Sequence, residues 1–264
     1  MIVIKGAGDL ASGVAVRLAH CGFPLVMTDL AHPTAIRRTV CFSEAIRSGS
    51  ATVEDVTAAF AADVSAVDAI LSRGQIAVLA DEQADCIRAL HPTVVIDAIL
   101  AKRNLGTRID DAPIVIGLGP GFTAGVDCHA VVETMRGHDL GRVLLHGSAE
   151  PNTGIPGSIS GFTTERVLRA PQTGVFTEIR HIGDVVEAGE TVAEVGGMPI
   201  RAAIAGVIRG LLPSGTPVHA GMKSGDIDPR PIQSHCYTVS DKARAIGGGV
   251  LEAVLQLSKE KFHV

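Results

Sequence analysis

The first residues of the chain with the means to do chemistry are Gly6-Ala-Gly8-Asp9-Leu-Ala11-Ser-Gly13, a G-x-G-x-x-A pattern with a further glycine two residues on. They follow a short apolar run, Ile2-Val-Ile4, and precede Val14-Ala-Val-Arg-Leu-Ala-His20, which reads as a helix. Glycines between strand and helix let the backbone approach a pyrophosphate, while the helix N-terminus offers amide donors and a positive dipole. The next strand, Pro24-Leu-Val-Met-Thr28, ends on Asp29, 21 residues after Gly8, where an acid can accept from a ribose hydroxyl. The same residues also suit tight strand–helix packing, with Asp29 a solvated strand end. Asp9 places a negative charge inside the loop, where it can cap the helix or meet a metal or polar substrate instead of a phosphate.

Arg37 and Arg38 lie just beyond the second strand and can face an anionic ligand at the carboxyl edge of a sheet, or simply coat a solvated helix. Cys41 follows and is the candidate catalytic residue, although a lone cysteine is most often a small buried hydrophobe. A second strand running into a glycine turn, Pro113-Ile-Val-Ile-Gly117-Leu-Gly119-Pro-Gly121-Phe122, repeats the logic of the first, so Gly117, Gly119 and Gly121 join Gly6, Gly8, Asp9, Asp29, Arg37 and Arg38 as candidate cofactor-binding positions. A helix-like run is expected from Thr123 through Met135. Asp127 and His129 lack a third ligand at a diagnostic spacing, so no metal site is expected.

Elements must exist to position these residues. The chain has 264 residues, 46% of them hydrophobic but with no Trp and one Tyr, so its core is aliphatic, as in buried parallel strands covered by Ala-rich helices. Gln75–Leu79 and Thr93–Asp97 are further apolar strands, alternating with helical stretches at Ser65–Ser72 and Glu82–Leu90. A net charge of −5 argues against a nucleic-acid partner. Five scattered cysteines without a CxxC pair, no signal-peptide pattern and no apolar run of about 18 residues predict a soluble cytoplasmic protein.

The pattern changes from about Gly174 to short strands with frequent turns. Gly183-Asp-Val-Val-Glu-Ala-Gly189 and Gly215-Thr-Pro-Val-His-Ala-Gly221 both read G-x-x-V-x-A-G, 32 residues apart, as a duplicated half-unit. The arrangement resembles the flattened β-sandwich of biotinyl and lipoyl carrier domains, but Gly196-Gly197-Met198 stands where those families place the modified lysine. Lys223-Ser-Gly-Asp-Ile-Asp-Pro-Arg230 reads as a ligand-facing or domain-locking loop, and Asp241–Leu257 as a closing helix in which each residue of Gly247-Gly-Gly249 costs about 1 kcal/mol. The expected organisation is α/β: a Rossmann-like domain over 1–112, a glycine-rich middle segment over 113–168, a barrel-sandwich-like β-module over 169–230, and a tail and helix over 231–264. Exposed edges on the β-module make a homodimer plausible.

Six segments together resemble the YqeB-type accessory proteins of selenium-dependent molybdenum hydroxylases: the Gly6–Gly13 loop, Pro33-Thr-Ala-Ile-Arg-Arg-Thr39, Gly117–Phe122, Arg136-Gly-His138, Asn152-Thr-Gly-Ile-Pro-Gly157 and Lys223–Arg230. The resemblance implies a role in maturing a client molybdenum hydroxylase, through its molybdenum cofactor (a pyranopterin dinucleotide) or its sulfur or selenium ligand. In that reading the glycine crevice cradles the cofactor, Arg37 and Arg38 meet its anionic groups, and Cys41 carries sulfur or selenium. Two other readings stand beside it. One is an NAD(P)-dependent oxidoreductase using His129, His138 or His146 for proton transfer. The other is a non-enzymatic docking protein that senses a nucleotide.

Overall fold

The computed structural model describes residues 1–154 and 157–262, and these divide into two compact units. The first comprises Met1–Pro33, Cys41–Thr153 and Val239–Val264; the second comprises Thr34–Val40 and Gly154–Thr238. Ile155 and Pro156 of the expected functional loop at 152–157 lie outside the described residues.

The first unit is mixed α/β around a large, mostly parallel sheet. Strand β1 (Ile2–Lys5) leads into helix α1 (Asp9–His20), which returns the chain to β2 (Leu25–Asp29). A short helix α2 (Glu44–Ser48) precedes a hairpin, β3 (Ser50–Val53) and β4 (Val56–Ala61). Then α3 (Val67–Leu71), β5 (Ile76–Ala80), α4 (Cys86–Leu90) and β6 (Val94–Asp97) alternate, as the apolar runs predict. Strands β7 (Ile114–Leu118), β8 (Ala130–Val132) and β9 (Val143–Leu144) complete a sheet of order β3-β4-β5-β2-β1-β6-β7-β8-β9. Strand β1 is parallel to both neighbours, β2 and β6, and the connections leave it in opposite directions. This is the topological switch point at which doubly wound sheets bind ligands, beyond the carboxyl ends of the strands.

In the second unit, β10 (Val167–Arg169), β11 (Gly174–Glu178), β12 (Val185–Val186), β13 (Thr191–Val195), β14 (Met198–Arg201), β15 (Gly206–Leu211), β16 (Pro217–Val218) and β17 (Lys223–Asp228) form two four-stranded antiparallel sheets. Their orders are β10-β17-β15-β12 and β14-β13-β11-β16. The two repeat motifs occupy equivalent places, each supplying a two-residue edge strand, β12 or β16, between glycines at positive φ: Gly183 and Gly189, Gly215 and Gly221. Phe176, Val195, Ile208, Leu211 and Ile227 are buried together in its core.

The chain does not divide at 112, 168 and 230 as expected. Strands β7 to β9 hydrogen-bond onward from β6 in the same sheet, so 113–153 is part of the first unit. Residues 34–40 bond into the second, where Leu211 N donates to Ile36 O. Both are pairings distant in sequence, which a local pattern does not reveal. The helix expected over Thr123–Met135 is also absent. Asp127 Oδ2 accepts from Thr123 N at 2.7 Å, closing a turn, and the residues after it enter β8. The segment Lys223–Arg230 is mostly strand β17, not a loop.

The closing helix α5 (Asp241–Phe262) packs on α1. Two of its three glycines, Gly247 and Gly249, are contact points. A Cβ on Gly13 would lie 2.5 Å from Ala243 Cβ, and one on Gly247 would lie 3.2 Å from both Gly13 O and Arg17 Cβ. A Cβ on Gly249 would collide with the Gly141 carbonyl oxygen. The helix-propensity penalty of these glycines is offset by the backbone approach they permit. Gly13→Ala therefore destabilises the chain by about 1–3 kcal/mol of overpacking, against a propensity gain of at most about 1 kcal/mol. Urea unfolding checks this; an equally stable variant would mean the helices have room to separate.

Candidate functional site

The carboxyl ends of β1, β2 and β6 bring the glycine loop and three charged side chains to the switch point. Gly6 has φ +93°, and a Cβ there would lie 3.0 Å from Ala98 O, so the turn out of β1 passes against the turn out of β6 with no space for a side chain. Gly8 is the N-cap of α1, and a Cβ on it would meet no atom within 4 Å. Of the five candidate glycines, Gly8 alone opens onto empty space. Gly117, Gly119 and Gly121 are explained by packing: side chains there would run into the Phe122 ring, Thr134 Oγ1 and the Arg103 backbone.

Asp29 ends β2 as expected, but its carboxylate is turned to the loop. Oδ2 accepts from Ala7 N and Oδ1 from Leu30 N, both at 2.8 Å. Burial raises its pKa above the ordinary 3.8, against the lowering effect of those two amides. Asp9 Oδ1 accepts from Leu10 N at 2.9 Å in the first turn of α1. A lysine that the sequence reading missed feels its charge. Lys242, the second residue of α5, has its pKa lowered by burial and by Arg136, while Asp9 and Glu133 act on it in the opposite direction. Arg136 itself forms a two-point ion pair with Asp241 at 2.6 and 2.9 Å.

A second overlooked group is the buried chain Lys5–Thr107–Asp97, at the ends of the two strands that define the switch point. Lys5 Nζ donates to Thr107 Oγ1 at 2.6 Å, and Thr107 Oγ1 donates to Asp97 Oδ2 at 2.6 Å. Lys5 Nζ lies 3.7 Å from the same carboxylate oxygen. Asn104 holds the loop in place, its Oδ1 accepting from Gly106 N and Thr107 N. The signal was present in the sequence: Lys5 and Asp97 are the charged last residues of apolar strands, and parallel strands bring such ends to one edge.

Cys41 is 1% exposed, and the residues after it pin the glycine loop: Phe42 N donates to Ser12 Oγ at 2.8 Å and Ser43 N to Ala7 O at 3.0 Å. The catalytic role expected of Cys41 is corrected to a core position, because a thiol this buried is not presented to a reactant. Arg37 and Arg38 are parts of the second unit. Arg37 is buried and donates to His235 O and Thr238 O; Arg38 donates to Leu211 O at 2.8 Å and pairs with Glu178 at 2.5 Å. His129 Nδ1 accepts from Val115 N at 3.0 Å, which commits it to the β7–β8 ladder. His138 and His146 are exposed. No group of three or more metal-ligating side chains occurs among the described residues.

No family model matches the chain. Over 257 residues, 97% of its length, it is 52% identical to Uncharacterized protein YqeB of Escherichia coli strain K12. The chain spans about half of that relative, 48% of its length. Among solved structures, an aspartoacylase family protein of Mesorhizobium loti is 10% identical with a TM-score of 0.29, covering 86% of this chain and 83% of that one. A succinylglutamate desuccinylase/aspartoacylase of Rhodobacter sphaeroides is 12% identical with a TM-score of 0.27, covering 85% and 86%. At such scores neither bears on fold or function. No described helix is long and apolar enough to cross a membrane.

The raised pKa of Asp29 has a definite pH signature. Above 3.8 the unfolded chain releases a proton that the folded chain still holds, so this residue's contribution to stability falls as pH rises through its folded value. Asp29→Asn removes that contribution, and the gap between variant and wild-type melting temperatures shifts in favour of the variant between about pH 4 and pH 7. A gap that stays constant with pH would show that the carboxylate is not desolvated.

Proposed function

We propose that the first unit binds the phosphates of a nucleotide-bearing cofactor at the Gly8 turn, and that the chain handles the pyranopterin dinucleotide of a molybdenum hydroxylase during its maturation. One observation carries the binding half: the glycine at the N-terminus of the 12-residue helix α1 faces open space, at the switch point of a doubly wound sheet. Helix amides, the dipole and Lys242 favour an anion there, and Lys242 offsets the unfavourable charge of Asp9. Lys5, Thr107 and Asp97 would orient the polar part of the ligand beside β1 and β6. The hydroxylase half rests on the motif resemblance.

The second unit supports the same reading as a barrel-sandwich-like module without a carrier lysine. Its repeat motifs build matching edges in two small sheets, and Gly196 and Gly197 occupy the turn between β13 and β14. Hydride transfer with NAD(P) is the weaker reading, since the histidine nitrogen closest in sequence to the second glycine turn, Nδ1 of half-buried His129, is engaged by a backbone amide. Transfer of sulfur or selenium on Cys41 is left out because of its burial.

Gly8→Ala tests the binding half. Its Cβ meets nothing in the chain and its φ of −70° suits alanine, so the fold tolerates the change and only a bound phosphate feels it. Native mass spectrometry with released molybdenum cofactor, NAD(H), NADP(H), ATP and CTP should show the cofactor or a cytidine nucleotide bound to wild type, and at least ~10-fold weaker binding to the variant. Selective NAD(H) binding would move the case to an oxidoreductase. If nothing binds, the glycines are packing devices and the docking reading replaces this one.

A further inference from the structure

A ligand with a phosphate on the Gly8 turn can run along the sheet edge in two directions, toward β2 or toward β6. The β2 side is occupied by the chain itself. Both Asp29 carboxylate oxygens already accept backbone amides, from Ala7 and Leu30. Residues 41–43 return to the same flank: Phe42 is fully buried, its N–H donates to Ser12 Oγ, and Ser43 N donates to Ala7 O. Helix α2 follows directly and packs on β3, β4 and β5, beyond β2.

The β6 side is built differently. Residues 98–107 form a loop that spans the edge from the turn after β1 to the turn after β7. A Cβ on Gly6 would lie 3.1 Å from Ile99 N, and one on Gly121 would lie 2.6 Å from Arg103 Cα. Strands β1 and β7 flank β6, so the loop crosses two strand spacings, about 10 Å. Its far end is anchored. Thr107 is buried between Lys5 and Asp97, and Asn104 Nδ2 donates to Thr107 O at 2.8 Å and to Asp127 Oδ1 at 3.3 Å. Within the loop, Leu100 and Lys102 are left-handed, at φ +60° and +64°, a region that residues with side chains seldom adopt. Such strain persists only where the surroundings impose it, and it gathers at ligand clamps and active sites. The loop also turns apolar side chains outward, with Ile99 36% and Leu105 46% exposed. Arg103 is exposed between them in sequence and makes no hydrogen bond or ion pair among the described residues.

We infer that a nucleotide-bearing ligand on the Gly8 turn extends toward β6 and β7, across residues 98–107, with a planar ring against Ile99 and Leu105 and an anionic group on Arg103. This rests on the Gly8 site proposed above and adds its direction and the residues that select the ligand. The two chemistries of the loop match the two parts of a nucleotide. Aliphatic side chains cover a ring face, and a guanidinium donates two parallel hydrogen bonds to a phosphate. A loop anchored before the ligand arrives also lowers the ordering entropy that binding would otherwise cost.

Native mass-spectrometric titration of the full chain with CTP and with released molybdenum cofactor tests it, together with hydrogen–deuterium exchange in the same ligands. Arg103→Ala should bind at least ~10-fold more weakly than wild type, and Leu105→Gln at least ~3-fold. Both should keep the wild-type melting temperature, since both side chains are exposed. Arg73→Ala removes an exposed arginine just before β5, at the opposite edge of the sheet, and should bind like wild type. Ligand should slow exchange in peptides covering 98–107 and leave those covering 29–33 unchanged. Unchanged binding in Arg103→Ala while Gly8→Ala weakens it, or protection over 29–33 in place of 98–107, would overturn this inference and leave the Gly8 site standing. Equal weakening by Arg73→Ala would reduce the effect to net charge and overturn it as well. No binding to wild type overturns both.

Discussion

Strand β1 carries the arrangement of the first unit. It is buried, parallel to β2 on one side and β6 on the other, and must turn into α1 at its carboxyl end within a few residues. Gly6 makes that turn at a positive φ, close enough to the β6 turn that a side chain would strike Ala98. Because the turn is this tight, α1 starts directly over the sheet edge, and its N-terminus, Asp29, Lys5 and Asp97 converge there. The Asp29 carboxylate then holds Ala7 N, and Ser43 N holds Ala7 O, so the loop is fixed from both sides.

The far face of α1 obeys a related constraint. Helix α5 is 22 residues long and lies against it through Gly13 and Gly247, where backbone takes the place of side chain. That contact also delivers Lys242, near the start of α5, to the neighbourhood of Asp9 and Glu133. A packing requirement thus supplies a cation beside the glycine loop. The buried charge of the second unit follows a different rule. There the carboxylates of β17 pair with Arg166, Arg209 and Arg230, Asp228 being shared by the last two, and Arg209 sits at the bulge in β15.

Much of this was legible in the residues. The strands β1, β2, β5 and β6 and the helices α1, α3 and α4 between them follow from apolar runs and glycine punctuation, whereas α2 and the hairpin β3–β4 do not, and the repeat at Gly183 and Gly215 marks two equivalent edges that the structure builds as β12 and β16. The motif places Gly8 at a helix N-terminus, and the structure has it as the N-cap of α1. The misreadings share a cause. Arg37, Arg38 and Cys41 were assigned to the first crevice because they follow β2 in sequence, whereas residues 34–40 pair with β15 and Cys41 turns into the core. Gly117, Gly119 and Gly121 look like a second phosphate loop, yet they answer to Phe122, Thr134 and Arg103, contacts that no spacing rule encodes.

What the sequence by itself determined was local: the strand–glycine–helix opening, the aliphatic parallel sheet, the β-rich second half with its internal repeat, and the small residues where the backbone must turn or approach. These depend on the backbone freedom of glycine and on hydrophobic period, which act over a few residues. Tertiary structure decided which distant side chains share an environment: Lys242 beside Asp9, Thr107 between Lys5 and Asp97, Arg166 and Arg209 beside Asp226. The electrostatics of these groups come from burial and from partners up to a hundred or more residues away, and neither exists until the chain has folded.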